Sequence, residues 1–244
     1  MLRKLSSAVF AALLFAAQAP AALISEFEPN PDGDDPASVN FELSGTAFES
    51  FDYWILSIET DSGASVGLVD RAANVTGTFD ALGLAVVTIP DLENPSFTVL
   101  LTDTFTGTVG TSDVDADNDG VVDDTSFWNT VEDALSIVDR ETGDAEYGAQ
   151  LGGTNFQYSG AEPSLTFRDL STGQWFAVND PAVDEIFSAT GDAYTSDDFT
   201  GGDPLLATFG ALNPTLITAI PEPSSLVALG VLGAFTAVRR RRRK

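Results

Sequence analysis

Cysteine and histidine are both absent from this 244-residue chain, and methionine occurs once. Without thiols there is no disulfide framework and no cysteine nucleophile, so stability has to come from a packed core. Without imidazole there is no Ser-His-Asp triad and no histidine-based zinc or iron centre. Basic side chains are scarce as well, 11 lysines and arginines against 37 acidic residues. Two of the basic residues stand at positions 3 and 4 and six at 239–244, which leaves Arg71, Arg140 and Arg168 for everything between. That middle has no lysine, which removes a Ser-Lys dyad. All the acidic residues fall in 23–222, an excess of 34 negative charges over that stretch. Such a surface repels phosphate, so nucleic acid is not an expected partner, and salt, divalent cations or basic partners are the compatible neighbours. No Gly-rich phosphate loop leads into a helix. No apolar run reaches the roughly 20 residues of a stable membrane span.

What is present is most legible at the two ends. Arg3 and Lys4 precede an apolar run over 5–17, and Ala19-Pro20-Ala21 offers small residues at the spacing read by signal peptidase. Residues 1–22 are therefore expected to be a cleaved secretory signal; the alternative is a buried N-terminal helix. At the other end Pro221-Glu222-Pro223 is followed by an apolar stretch over 226–238 and by Arg239, Arg240, Arg241, Arg242, Arg243 and Lys244. The prolines hold the backbone extended and accessible to a protease. The apolar stretch inserts in the inner membrane transiently, being short for a permanent span. The cationic end stays on the cytoplasmic face. This tail resembles the PEP-CTERM sorting signal over 221–244. The resemblance implies processing near Pro221, Glu222 and Pro223 by an exosortase-type membrane protease, and delivery to the cell surface or extracellular space. A permanent C-terminal anchor is the rival reading.

Between the ends, short apolar or alternating runs are separated by Gly, Pro, Asn and Asp, and the pattern predicts an all-β fold. Strands are expected over 23–27, 39–43, 53–59, 75–79, 84–89, 97–102, 134–138, 165–168 and 175–178, enough for a β-sandwich. Val131, Leu135 and Val138 also fall at helical spacing, so 130–139 is open to a turn or two of helix. No linker or fixed-period repeat divides the region, which predicts one domain over 23–215 followed by a sorting tail over 216–244. The Asp- and Gly-rich run 192–203 and Asn213-Pro214 read as loop and stalk. Ile24-Ser25-Glu26, Asn30-Pro31, Asn40-Phe41-Glu42-Leu43, Tyr53-Trp54-Ile55-Leu56 and Asp133-Ala134-Leu135 together resemble the lamin-tail domain. That resemblance implies an immunoglobulin-like β-sandwich used for interaction or scaffolding. The region 83–153 is longer than a minimal domain of that kind and holds an acidic loop insertion.

That loop is the sharpest chemical signal. Asp115, Asp117 and Asp119 alternate, Gly120 follows, the Val121 carbonyl takes the seventh position and Asp123 the ninth. Hard calcium ions prefer several oxygens on a loop that curls round them, and this spacing is the opening of an EF-hand-type loop. The twelfth position is Ser126 where that loop has a bidentate glutamate, so the pattern is closer to the Asp-rich calcium repeats of thrombospondin-type surface proteins. Asp115, Asp117, Asp119, Val121 and Asp123 are the candidate Ca2+ ligands, with a solvated acidic loop as the alternative.

Catalytic options are few. A paired-carboxylate mechanism, as in glycoside hydrolysis, survives the absences above, with Glu26 and Glu42 as strand carboxyls open either to raised pKa or to turn bonding. Trp54 and Trp175 read as core and Trp128 as exposed beside the loop; the three arginines are expected to pair with the adjoining Asp70, Asp139 and Asp169. The expectation is thus a non-enzymatic, calcium-assisted adhesion or matrix module, with extracellular polysaccharide or surface proteins as partners. The alternative is a carbohydrate-active hydrolase using two carboxylates.

Overall fold

The computed structural model describes residues 22–31, 36–63, 65–92, 96–141 and 143–217, so the N-terminal leader, the Pro221–Pro223 triplet and the Arg239–Arg243 run lie outside the described residues. Among the described residues no helix is long and apolar enough to cross a membrane. The fold is all-β. Its strands are β1 (Leu23–Phe27), β2 (Ser38–Ser44), β3 (Ser50–Glu59), β4 (Val69–Thr78), β5 (Leu84–Pro90), β6 (Phe97–Thr102) and β7 (Val131–Asp139), then β8 (Thr154–Tyr158), β9 (Leu165–Asp169), β10 (Gln174–Val178), β11 (Ile186–Ser188), β12 (Ala193–Tyr194), β13 (Phe199–Thr200) and β14 (Thr215–Leu216). One 3₁₀ turn covers Ser196–Asp198.

The strands form a seven-stranded sheet in the order β12-β11-β10-β9-β1-β2-β5, a five-stranded sheet in the order β4-β3-β6-β7-β8, and the small β13-β14 pair. β7 and β8 run parallel; the other described pairs are antiparallel. The main core joins the two large sheets: Ile24, Phe27, Phe41 and Trp175 come from one, Ile55, Phe97, Val99 and Leu135 from the other. Residues two apart along a strand share a face, so these positions alternate with residues of the outer faces. Segment 130–139, open between strand and helical turn in the sequence, is strand because Leu135 and Ile137 enter the core while Ala134 packs on the opposite face.

Both sheets have a second buried face. Leu56, Ile58, Leu100 and Ala134 on the outer side of the five-stranded sheet pack with Val66, Val114, Trp128 and Tyr147 from its covering loops. This is why β6 is buried at every residue and reads as a continuous apolar run. Trp128, expected at the surface, is 7% exposed inside this cluster, and Trp54 packs at the cluster's margin. On the outer side of the seven-stranded sheet Leu165, Phe167, Phe176, Val178 and Ile186 pack with Phe199, flanked by Tyr194, Leu205 and Leu216. The stretch read as loop and stalk is therefore packed onto the sheet: its few apolar residues find a hydrophobic face that its Gly and Asp content hides.

A bulge in β1 sets which side chains face where. Ile24 pairs with Leu43 and Glu26 with Glu42, leaving Ser25 as the extra residue. The shift sends both Ile24 and Phe27 into the core and turns Glu26 to the outer face.

Candidate metal centre

The acidic loop is built on the covering layer of the five-stranded sheet. Val114 is its anchor: the side chain is buried in the second cluster, and its N–H donates to the Gly67 carbonyl at 2.9 Å. Its carbonyl accepts the N–H groups of Asp123 at 2.7 Å and Asp124 at 3.3 Å, which closes the loop. Gly67 has φ +85°, and a Cβ there would stand 2.5 Å from Asp113 Oδ1 and 2.9 Å from the Asp115 nitrogen. Only glycine combines that backbone with so close an approach. Inside the loop the chain reverses through Asn118 at φ 55° and Gly120 at φ 83°.

Asp115 is buried and holds the loop's shape. Its Oδ1 accepts the Asp119 N–H at 3.0 Å; its Oδ2 accepts the Gly120 N–H at 2.8 Å and the Tyr147 hydroxyl at 2.6 Å. Burial pushes the Asp115 carboxyl up, but the hydrogen bonds from Tyr147 and the loop amides outweigh it and hold the group below the usual aspartate range. Burial, and then the same contact with Asp115, pushes Tyr147 far above the ordinary tyrosine range. Asp117 is exposed and raised, first by the neighbouring Asp119 carboxylate, then by partial desolvation and by Asp123. Gln150 ties the loop from outside, donating to the Gly120 carbonyl at 2.8 Å and accepting the Val122 N–H at 3.0 Å.

Of the candidate ligands, Asp115, Asp117 and Asp123 each place a carboxylate oxygen within 4.8 Å of the others. That separation is about twice a calcium–oxygen bond length, a spacing that lets oxygens flank one hard cation. Asp119 stands apart from this group: its Oδ1 accepts the Val121 N–H at 2.9 Å in a local turn. The Val121 side chain is exposed. A polar cleft of about 570 Å³ adjoins the loop, with Asn118, Asp119, Asp144, Glu146, Gln150 and Asn155 in its walls.

Replacing Tyr147 by phenylalanine is expected to destabilise the protein by about 1–3 kcal/mol at neutral pH, since it strips one donor from a buried carboxylate. A depressed carboxyl pKa supplies stability that is present above the ordinary range and is lost as pH falls through the folded value. The variant's urea midpoint should therefore lie below the parent's at pH 7 and converge with it under acid conditions. Equal midpoints at pH 7 would mean that the hydroxyl does not hold Asp115.

Glu26 and Glu42 are directly opposed on β1 and β2, buried beneath residues 208–210. Arg71 pairs with Asp70 at 3.4 Å, as its neighbour in sequence suggests. Arg168 does not pair with the adjoining Asp169; it reaches Asp133 on the other sheet at 2.9 Å, because alternation puts Asp169 on the outer face and Arg168 on the inner one. Compared with protein-family models, with curated proteins and with solved structures, the chain matches none of them.

Proposed function

We propose that this is an exported cell-surface or extracellular-matrix protein, sorted by a PEP-CTERM-type tail, whose immunoglobulin-like β-sandwich serves as a non-catalytic adhesion or matrix module stapled by calcium. The observation that carries the calcium part is the convergence of Asp115, Asp117 and Asp123 on a loop whose ends are clamped by Val114. Three carboxylates held that close repel one another until a cation bridges them; Asp117 is pushed up first by Asp119, then by desolvation, with smaller contributions from Asp123 and Asp115. The position of the loop favours a staple over a catalyst, because Val114 and Tyr147 root it in the layer that covers β3 and β6. The two facing sheets support the sandwich, and the polar cleft beside the loop suits a hydroxyl-rich ligand such as a surface polysaccharide. The export reading rests on the sequence of the two ends.

Calcium titration of the full-length protein, followed by thermal unfolding with magnesium as control, tests this reading. Extracellular modules bind calcium at about 10⁻⁴–10⁻³ M, so 1 mM calcium is expected to add about 0.5–1.5 kcal/mol. Magnesium should add less, and Asp117→Asn should abolish the gain while leaving the calcium-free protein folded. A Tm indifferent to calcium up to 10 mM reduces the loop to solvated charge.

A further inference from the structure

Away from the acidic loop, buried polar chemistry is concentrated on the outer face of the seven-stranded sheet, where the C-terminal segment 203–216 lies across β1 and β2. Glu26 Oε1 accepts the Thr208 N–H at 2.7 Å, and Glu42 Oε2 accepts the Gly210 N–H at 2.7 Å. Ser25, the bulge residue, donates its hydroxyl to Glu42 Oε1 at 2.8 Å. Asn213 donates its amide N–H groups to the carbonyls of Ser25 at 2.8 Å and Arg168 at 3.1 Å. Those two contacts fix the amide's orientation, so its Oδ1 faces Thr208 Oγ1, 2.9 Å away.

We propose that Glu26 carries a proton on Oε2, that this proton latches segment 203–216 onto the sheet, and that the segment is a flap which loosens as the proton is lost. Thr208 Oγ1 lies 2.9 Å from Asn213 Oδ1 and 3.1 Å from Glu26 Oε2. A hydroxyl has one hydrogen, and Asn213 Oδ1 can only accept. The Thr208 hydrogen therefore goes to Asn213, and the contact with Glu26 is a hydrogen bond only if the glutamic acid donates it. Glu42 accepts from Ser25 and Gly210 on both oxygens and needs no proton, so the opposed pair holds one proton between them.

The charges around the pair agree. Burial first, and then the Glu42 and Glu28 carboxylates, push Glu26 up to about 7 against the opposing bond from the Thr208 N–H. Burial first, with a contribution from Asp80, pushes Glu42 up as well. Asp169, also buried on this face, accepts the Leu216 N–H at 3.2 Å and adds a third carboxyl beneath the segment. A carboxyl whose folded pKa is raised supplies stability that is complete below its ordinary value and is lost as pH rises through the folded one. The flap is thus held most firmly in acidic surroundings and is loosest from neutrality upward, which withdraws Leu205 and Leu216 from the margin of the outer cluster.

Hydrogen–deuterium exchange of the full-length protein, corrected for the intrinsic pH dependence of exchange, reads the latch directly. Amides of 205–217 should lose protection by about tenfold per pH unit from pH 5 to pH 7 and level off above that, while those of β3 and β6 stay protected. Glu26→Gln keeps the donor without the titration, so its flap should stay protected throughout. Protection of the segment that is flat from pH 5 to 9 in the parent, or an equal loss in the glutamine variant, overturns the proposal. If that variant fails to fold, the infrared carbonyl band of a buried carboxylic acid decides instead: it should be present at pH 5.5 and gone by pH 8.5, and its absence throughout overturns the latch.

Discussion

Arg168→Met is expected to destabilise the fold by about 3–5 kcal/mol at neutral pH, the cost typical of leaving a buried charge without its partner. The guanidinium reaches across the core from β9 to Asp133 on β7, with Nη2 at 3.0 Å from one carboxylate oxygen and 2.9 Å from the other. It also lies 4.6 Å over the Trp175 ring. Asp133 in turn accepts the Ile24 N–H at 2.9 Å, so one carboxylate fastens β7 to both β1 and β9. Burial already pushes the Asp133 carboxyl up against the pull of Arg168. Without Arg168 it would protonate more readily, and the loss should shrink as pH falls. Combining Arg168→Met with Asp133→Leu should recover most of the loss, because an apolar pair of similar volume often equals or exceeds a buried ion pair, leaving mainly the cost of the unpaired Ile24 N–H. Chemical denaturation of the two variants decides the matter; a single substitution that costs under about 1 kcal/mol would show the pair to be dispensable.

Phe27→Ala is expected to be as damaging, about 3–5 kcal/mol, through lost burial and the cavity left behind. Phe27 stacks on Phe41 with ring centroids 4.5 Å apart and touches Phe97 and Trp175 at 6.5 and 6.4 Å. It thus connects three strands of one sheet with β6 of the other. Phe27→Leu should lose markedly less, and a urea midpoint for the alanine variant close to the parent's would mean that the surrounding rings collapse to fill the space.

The strands that meet the core were readable from residue pattern because burial on one face imposes alternation, and burial on both faces imposes the unbroken run of β6. β8 was not readable: Phe156 and Tyr158 alternate with Asn155 and Gln157 in only five residues, and its place comes from parallel pairing with β7. β11 to β14 are too short for any period. In the loop, the alternating aspartates announced an oxygen-rich site, yet which of them converge depends on contacts invisible in the spacing. Asp115 is drawn inward by Tyr147, 32 positions away. Asp119, equivalent to it in spacing, turns one oxygen to the Val121 N–H. Trp128 looked exposed beside so many charges because nothing local shows that the loop is the lid of a hydrophobic layer. Glu26 and Glu42 were visible as carboxyls in apolar strands, but their cover comes from a segment whose composition suggested a stalk.

The placement of β1 has a kinetic consequence. This strand is the first described element of the chain, yet it sits inside the seven-stranded sheet between β2 and β9. The Thr166 hydroxyl that bonds the Phe27 carbonyl belongs to a residue 139 positions later. Closing such long loops precedes the reward of pairing, and topologies dominated by distant contacts fold slowly. The β1–β2 hairpin leaves one side of β1 without strand partners until residue 167 has emerged, so a chain still being synthesised cannot complete this sheet. Until then the chain carries an open strand edge, and β1 gains its second neighbour only after more than two thirds of the sequence is free to move.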